Sequence, residues 1–269
     1  MDMNRALKFS LIISFIVSIW TIRDIADAAN PELRYPPMPL GEKLIYRVTE
    51  LSKGKSFIPA TKVVYSEHSF REKRTPEGYV IYHFCEEKRK DFARNTWEIR
   101  YARRDSSIRT LSYINERFSP KGKLYYHEEY IFENIFHTIP KDITHMISMP
   151  YLLCGMDFGS TKTHVMYTWA QEGVPTKVLV KVCGKENVKV PLKSANSYKV
   201  CIEVDKDAIT EPMGAMGKVA AQLFPEFTIW YDIIPPHRPL KIHGVFGPLT
   251  PGKPEFIQEL VQIKKTNAP

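Results

Sequence analysis

The stretch Lys177–Val204, KVLVKVCGKENVKVPLKSANSYKVCIEV, decides the fold. Val178, Val180 and Val182 alternate with Lys177, Lys181 and Cys183, so one face is apolar and the next polar. Pro191 to Asn196 interrupts the pattern, and Tyr198, Val200, Ile202 and Val204 then resume the two-residue period. Alternation of that kind on both sides of a turn cluster predicts a half-buried antiparallel strand pair. Folding the pair about Lys193 makes Cys183 and Cys201 near neighbours and a candidate disulfide. A slip of one residue would place them on opposite faces.

Most of the remaining chain repeats this grammar. Gly41 opens a strand with Leu44, Tyr46 and Val48 on one face, and Lys62 to Phe70 is a second candidate. Tyr79 to Cys85 is apolar on both faces, which predicts a central strand. Trp97, Ile99 and Tyr101 alternate with Glu98 and Arg100 in a fourth. Ser106 to Phe118 and Lys123 to Ile131 form a hairpin about the turn signal Ser119-Pro-Lys-Gly122. From Tyr130 to Leu153 the apolar spacing changes to three and four residues, which predicts helical pieces broken by Pro140 and stopped by Pro150, with Asp142 as an N-cap. Strands return at His164 to Ala170, Phe227 to Tyr231, Leu240 to Phe246 and Phe256 to Ile263, while 207–225 reads as a loop or short helix over the sheet. The expectation is about ten or eleven strands with one helical interruption.

At the chain start, Arg5 and Lys8 precede the twelve-residue apolar run Phe9 to Trp20, and Ala26-Asp27-Ala28 follows. That order predicts a secretory signal peptide over 1–28, cut after Ala28, with an uncleaved anchor as the alternative because Arg23 and Asp24 precede the cut. A proline-rich lead-in over 29–40, one β domain over 41–265 and a tail over 266–269 complete the organisation. The signal segment carries three basic and three acidic residues, so the net charge of +8 is the same without it. Such a surface suits anionic headgroups or an acidic partner, and equally a solvated exterior. Nucleic acid fits export poorly, and no recognition-helix pattern occurs.

The four cysteines, Cys85, Cys154, Cys183 and Cys201, agree with an oxidising compartment and allow three pairings. No C-x-x-C occurs. His83, two residues before Cys85, shares its strand face; His137 and His145 straddle Pro140; His237 and His243 lie in the last hairpin. None forms a zinc-binding H-E-x-x-H, so neither metal nor cofactor is expected. Gly217-Lys218 is followed by Val219, so the phosphate-loop pattern fails, and no G-x-S-x-G nucleophile turn occurs. No catalytic residue is assigned, and the expectation is that the protein is not an enzyme.

Several segments together resemble one family. Gly41-Glu-Lys-Leu-Ile-Tyr46 is similar to its opening strand. The helix expected from Asp142, with Gly159 about seventeen residues on, is similar to its central helix. Val182 to Pro191 followed by Tyr198-Lys-Val200 is similar to its E-x-V-x-V-P…Y-K-V hairpin, and Thr228-Ile-Trp230 with Arg238-Pro239-Leu240 to its closing W…R-x-P pair. The family is the domain of unknown function numbered thirty-one-oh-eight, a group of exported bacterial proteins. The resemblance implies a half-barrel like that of the lipoprotein-localisation factors: a strongly curved, incompletely closed antiparallel sheet with helices on its concave side. In those relatives the concavity holds acyl chains.

A sheet that curls without closing leaves apolar side chains facing a hollow. Its expected lining is Tyr46, Val48, Ile81, Trp97, Ile99, Tyr101, Met146, Ile229 and Trp230. Lys185, Glu186, Trp230 and Arg238, which resemble recurring family positions, are expected to serve folding. The functional expectation is a periplasmic, non-catalytic cell-envelope protein holding a lipid or other hydrophobic ligand. The alternatives are a structural module with a filled core that docks an envelope protein, or an enzyme using the same cavity.

Overall fold

The computed structural model describes residues 39–51, 64–76, 78–89, 94–104, 107–132, 144–169, 175–205, 227–244 and 255–266. The expected signal segment, most of the lead-in, Asp142, His137 and the 207–225 stretch lie outside them. Among the described residues the protein is mainly β. Six strands come first: β1 (Glu42–Leu51), β2 (Val64–Thr75), β3 (Gly78–Arg89), β4 (Arg94–Arg104), β5 (Ser107–Phe118) and β6 (Leu124–Ile131). Seven follow: β7 (Thr144–His145), β8 (His164–Trp169), β9 (Pro175–Lys189), β10 (Ser194–Val204), β11 (Phe227–Asp232), β12 (Pro239–Gly244) and β13 (Glu255–Lys265).

All belong to one sheet in the order β6-β5-β4-β3-β2-β1-β13-β12-β11-β10-β9-β8-β7. Every neighbouring pair is antiparallel except β7 and β8, which run parallel over two residues. The sheet is therefore two meanders, one leading away from β1 and one returning to β13, joined where the first strand pairs the last. Thirteen strands exceed the ten or eleven expected. The two-residue β7 is too short to show any periodicity in sequence.

A short helix is present as expected, and residues 133–143, where the rest of that expectation falls, lie outside the described residues. Between Tyr130 and Leu153 the described residues hold the end of β6, Phe132 in helical conformation, all of β7 and one α-helical turn, α1 (Met149–Leu152), continued by a 3-10 turn over Leu153–Gly155. Pro150 lies in the first turn of α1 instead of stopping a preceding helix. Proline is favourable there because a first-turn N–H has no intrahelical acceptor to lose. Another expectation holds in part: β3 is central, flanked by β2 and β4, but only one face is covered. Ile81, His83 and Cys85 are buried on it, while on the other face Tyr82 is half-buried and Phe84 exposed.

The sheet curls until its two ends overlap. One buried cluster gathers Tyr46, Phe70, Ile81, Ile99, Tyr101 and Tyr113 from β1 to β5 together with Tyr167 and Trp169 from β8. A second gathers Val178, Val180, Val200, Ile202, Ile229 and Ile242 with Met149, Met156 and Met166. Met166 and its neighbours Tyr167 and Trp169 thus belong to different clusters, as alternation along a strand requires. Of the six residues of β8 only Val165 is exposed. Its one side meets the valine and methionine core, and its other side is covered by rings from β5 and β6.

Within the hairpin β9–β10 the pairing shifts between Lys199 and Val200, so that Val182 and Gly184 face adjacent residues and Cys183 is the extra residue of a bulge. Lys181 faces Cys201, and Cys183, two residues on, lies on the same side of the strand. The bulge thereby removes the one-residue conflict of faces. The sulfurs of Cys183 and Cys201 are bonded, with Cα atoms 6.0 Å apart, while Cys85 and Cys154 are free and buried.

Gly244 is needed for close approach. A Cβ added there would lie 2.1 Å from Cδ2 of Phe227 on the facing strand. Gly244→Ala is therefore expected to lower the urea midpoint by an amount equivalent to about 1–3 kcal/mol, with partial recovery in Gly244→Ala/Phe227→Leu. A single variant within about 0.5 kcal/mol of wild type would contradict this packing. Cys201→Ser, which opens a crosslink spanning 18 residues of sequence, is expected to cost about 3 kcal/mol. Thiol titration of the unfolded, unreduced chain should find two free groups; four would show the bond absent.

Candidate functional site

The interior is organised by the two-residue period of β2 and β3. Ser66, His68 and Phe70 share one face of β2, and Cys85 and His83 stand across from His68 and Phe70 on β3. The segment that follows β7 brings Ser148 and Tyr151 against this face. Tyr151 is the hub, with ring centroids 4.8 Å from His68, 4.9 Å from Phe70, 5.2 Å from His83 and 6.3 Å from Tyr46. Phe70 and His83 stack at 4.4 Å.

A continuous hydrogen-bonded chain runs through the cluster. Ser66 Oγ is 2.7 Å from His68 Nε2, His68 Nδ1 is 3.0 Å from His83 Nε2, and His83 Nδ1 is 2.5 Å from Ser148 Oγ. Cys85 Sγ lies beside its first link, 3.5 Å from Ser66 Oγ and 3.7 Å from His68 Nε2. Each neutral imidazole donates through one nitrogen and accepts through the other. The chain can therefore point either way: Ser148 donating to His83 and so on to Ser66, or the reverse. Both directions leave every ring nitrogen partnered.

Burial sets the charge state. It pushes His68 down to about 3 and His145 down to about 3. It also pushes His83 well below the usual range, helped by the charges of His68 and His145. The thiols of Cys85 and Cys154 and the phenols of Tyr46, Tyr101 and Tyr151 are pushed up by the same desolvation. The cluster is thus neutral at pH 7. A serine next to an imidazole invites comparison with a nucleophile and its base, yet Ser66, His68, His83 and Ser148 are all 0–2 % exposed. Among the described residues no three metal-ligating groups converge, His83 and Cys85 included.

The expected lining residues divide. Tyr46, Ile81, Ile99, Tyr101 and Ile229 are fully buried, Val48 and Met146 nearly so, and all seven face the interior. Trp97 is half-buried on the inner face of β4, opposite Cys85. Trp230 stands apart: it alternates with the buried Ile229 and Tyr231, donates its indole N–H to Glu186, and lies beneath Lys199 and Lys241 at 5.7 and 5.3 Å. His68, Ser148, Tyr151 and Trp169 were not anticipated as site residues. The S-x-H-x-F spacing of β2 against H-x-C of β3 was the available signal, because the tight Thr75–Gly78 turn fixes their register.

A second set of polar contacts gathers beside β1, and Tyr46, whose ring lies 5.7 Å from His68, borders both it and the histidine chain. Glu42 of the opening strand takes a two-pronged pair from Arg238, with Nε and Nη2 each 2.6 Å from a carboxylate oxygen. Tyr46 donates its hydroxyl to the Pro239 carbonyl at 2.8 Å. Lys193, in the turn of β9–β10, pairs with Asp232 at the end of β11. The Leu192 N–H reaches the Leu260 carbonyl at 3.1 Å, beside a bulge where the β1–β13 register shifts. These contacts tie β9–β10, β11, β12 and β13 to β1.

No family model matches the chain, and no curated protein matches it. Among solved structures it is similar to a β-barrel-like protein of domain of unknown function DUF1849 from Brucella abortus, at 11 % identity and TM-score 0.46 over 84 % of this chain and 98 % of that one. It is also similar to an exported-protein candidate with a YmcC-like fold from Bacteroides fragilis, at 12 % identity and TM-score 0.36 over 87 % and 100 % of the two chains. An outer membrane lipoprotein-sorting protein domain, a candidate assignment from Vibrio parahaemolyticus, follows at 8 % identity and TM-score 0.25 over 83 % and 85 %.

The buried imidazoles make stability depend on pH. Their folded pKa values lie below the unfolded value near 6.5, so protonation favours the unfolded chain. The stabilisation is complete above about pH 6.5 and is lost as pH falls toward the folded values. The urea midpoint is expected to fall between pH 6.5 and 4.5, before most carboxylates titrate, and His68→Gln should flatten that slope. A midpoint constant across this window would refute the neutral assignment.

Proposed function

We propose that the protein is an exported, non-catalytic binding protein of the cell envelope that holds a lipid or other hydrophobic ligand on the concave side of its curled sheet. One observation carries this reading. Among the described residues the concavity is covered by one short segment around α1, which lies against a wall of valine, isoleucine and methionine. Among the described residues that segment is fastened by a small set of hydrogen bonds: Tyr231 donates to the Pro150 carbonyl at 2.6 Å, Ser148 meets His83, and the Met146 N–H reaches the Trp169 carbonyl at 3.0 Å. Met149, Met156 and Met166 at this contact are unbranched and adapt to irregular apolar shapes. Such an insert can shift to admit an acyl chain at small polar cost.

The disulfide between Cys183 and Cys201 supports an oxidising compartment, as does the signal pattern over 1–28. The order of motifs shared with the thirty-one-oh-eight family supports the same placement, with the periplasm as the compartment. Ser148 is withdrawn from solvent, which favours a binding role over a catalytic one. A second reading has its own observation: Met149, Tyr151, Leu152 and Leu153 are all at most 1 % exposed, as in a completed core. On that reading the protein is a structural module that docks an envelope partner.

Organic extraction of the purified protein followed by mass spectrometry separates the two. Co-purified lipid, with enhanced emission of N-phenylnaphthylamine on mixing, is expected for the binding protein. No lipid and no response to that probe would sink it in favour of the filled module.

A further inference from the structure

The overlap of the sheet ends contains two buried donors that no described residue satisfies. His145 and Trp169 are partners across the short β7–β8 ladder, with ring centroids 5.0 Å apart and planes at 70°. The Ile147 N–H donates to His145 Nδ1 at 3.2 Å, so in the neutral ring the proton belongs to Nε2. That Nε2–H has no hydrogen-bond partner among the described residues, and His145 is 3 % exposed. Trp169 Nε1 is donor-only, equally without a partner, on a residue 0 % exposed. Asn115, two positions from Tyr113 on the same face of β5, is also 0 % exposed.

A buried donor without an acceptor is costly, and interiors almost always supply one. Two such donors, side by side, are open to an acceptor oxygen that no described residue supplies. The rings around them narrow its chemistry. Tyr113 stacks on His145 at 4.4 Å, and Tyr113, Tyr130 and Phe132 meet Trp169 edge-on at 5.0, 5.0 and 5.1 Å. No cationic side chain is among these contacts, and His145 itself stays neutral because burial disfavours its charge. A carboxylate or phosphate would be a buried charge without a counter-ion. An uncharged carbonyl, with two lone pairs and no proton to place, suits the site.

We propose that His145 and Trp169 form a two-donor anchor for the carbonyl oxygen of an acyl ester, seated where β5 and β6 cover β7 and β8. The proposal rests on the reading of the interior as a ligand site and names the ligand's polar end. The acyl chain would run on among the rings of Tyr113, Tyr130 and Phe132, on the same side of β8, while the ester oxygen takes both N–H groups.

The test uses full-length ¹⁵N-labelled protein with methyl laurate and dodecane, each delivered from cyclodextrin. The ester is expected to bind about tenfold more tightly than the alkane, the preference of about one added hydrogen-bonding site of this strength. It should also move the Trp169 indole N–H resonance downfield, which the alkane should not. Trp169→Phe and His145→Phe should each reduce the preference toward parity; if either variant fails to fold, the indole signal of the wild type decides alone. Equal binding with an unmoved indole resonance overturns the anchor and leaves the apolar site standing. An indole already hydrogen-bonded without ligand, and unchanged by ester, assigns the donors to buried water and also overturns it. If neither compound binds, the ligand-site reading falls and the anchor with it.

Discussion

Everything in this fold hangs on the pairing of the first strand with the last. β1 and β13 exchange a ladder from Glu42–Lys265 to Leu51–Glu255, and without it two separate meanders would each expose a long hydrogen-bonding edge. The contacts at this join come from distant sequence: Arg238 forks onto Glu42, and Tyr46 reaches the Pro239 carbonyl. A two-pronged, part-buried pair fixes direction as well as distance. Glu42, Tyr46, Arg238 and Pro239 together hold the join. A fold whose central ladder joins its first described strand to its last is rich in contacts between residues distant in sequence.

The other consequence of the join is that the sheet has only two ends, β6 and β7, and they are consecutive in the chain. They do not pair edge to edge as in a closed barrel. The inner face of β5 and β6 instead lies over the back of β8, and rings take the place of a backbone ladder: Trp169 alone meets Tyr113, Tyr130, Phe132 and His145. Side-chain closure is looser in its demands than strand pairing, because aromatic contacts tolerate a range of angles. It also buries polar atoms that a ladder would have kept at the rim. The unmatched donors of His145 and Trp169 follow from that geometry.

The interior is therefore not uniform. On one side of β8 it is aliphatic and methionine-rich; on the other it is aromatic and threaded by Ser66, His68, His83 and Ser148. The histidine chain, being fully satisfied, contributes order: each link fixes the tautomer of the next, so the plug segment carrying Ser148 is held in register with β2 and β3. Its neutrality ties that order to pH.

The alternation around Lys177–Val204, with the turn signals at Ser119–Gly122 and Pro191–Asn196, was enough to establish antiparallel strands and most of their faces, because side-chain direction along a strand is a local property. Leu44, Tyr46 and Val48 face inward as their spacing demands, as do Ile81, Ile99 and Ile229. Trp230 does not, since a lone aromatic on a half-buried strand carries no label for which side is covered. Pro150 was legible as a boundary but not as a beginning, because proline is excluded from helix interiors and welcome at helix starts. The bulge at Cys183, the Glu42–Arg238 fork, the Ser66–Ser148 chain and the aromatic overlap had no local signature. Each depends on how far the sheet curls and which distant strands it brings together, and only the tertiary structure decides that.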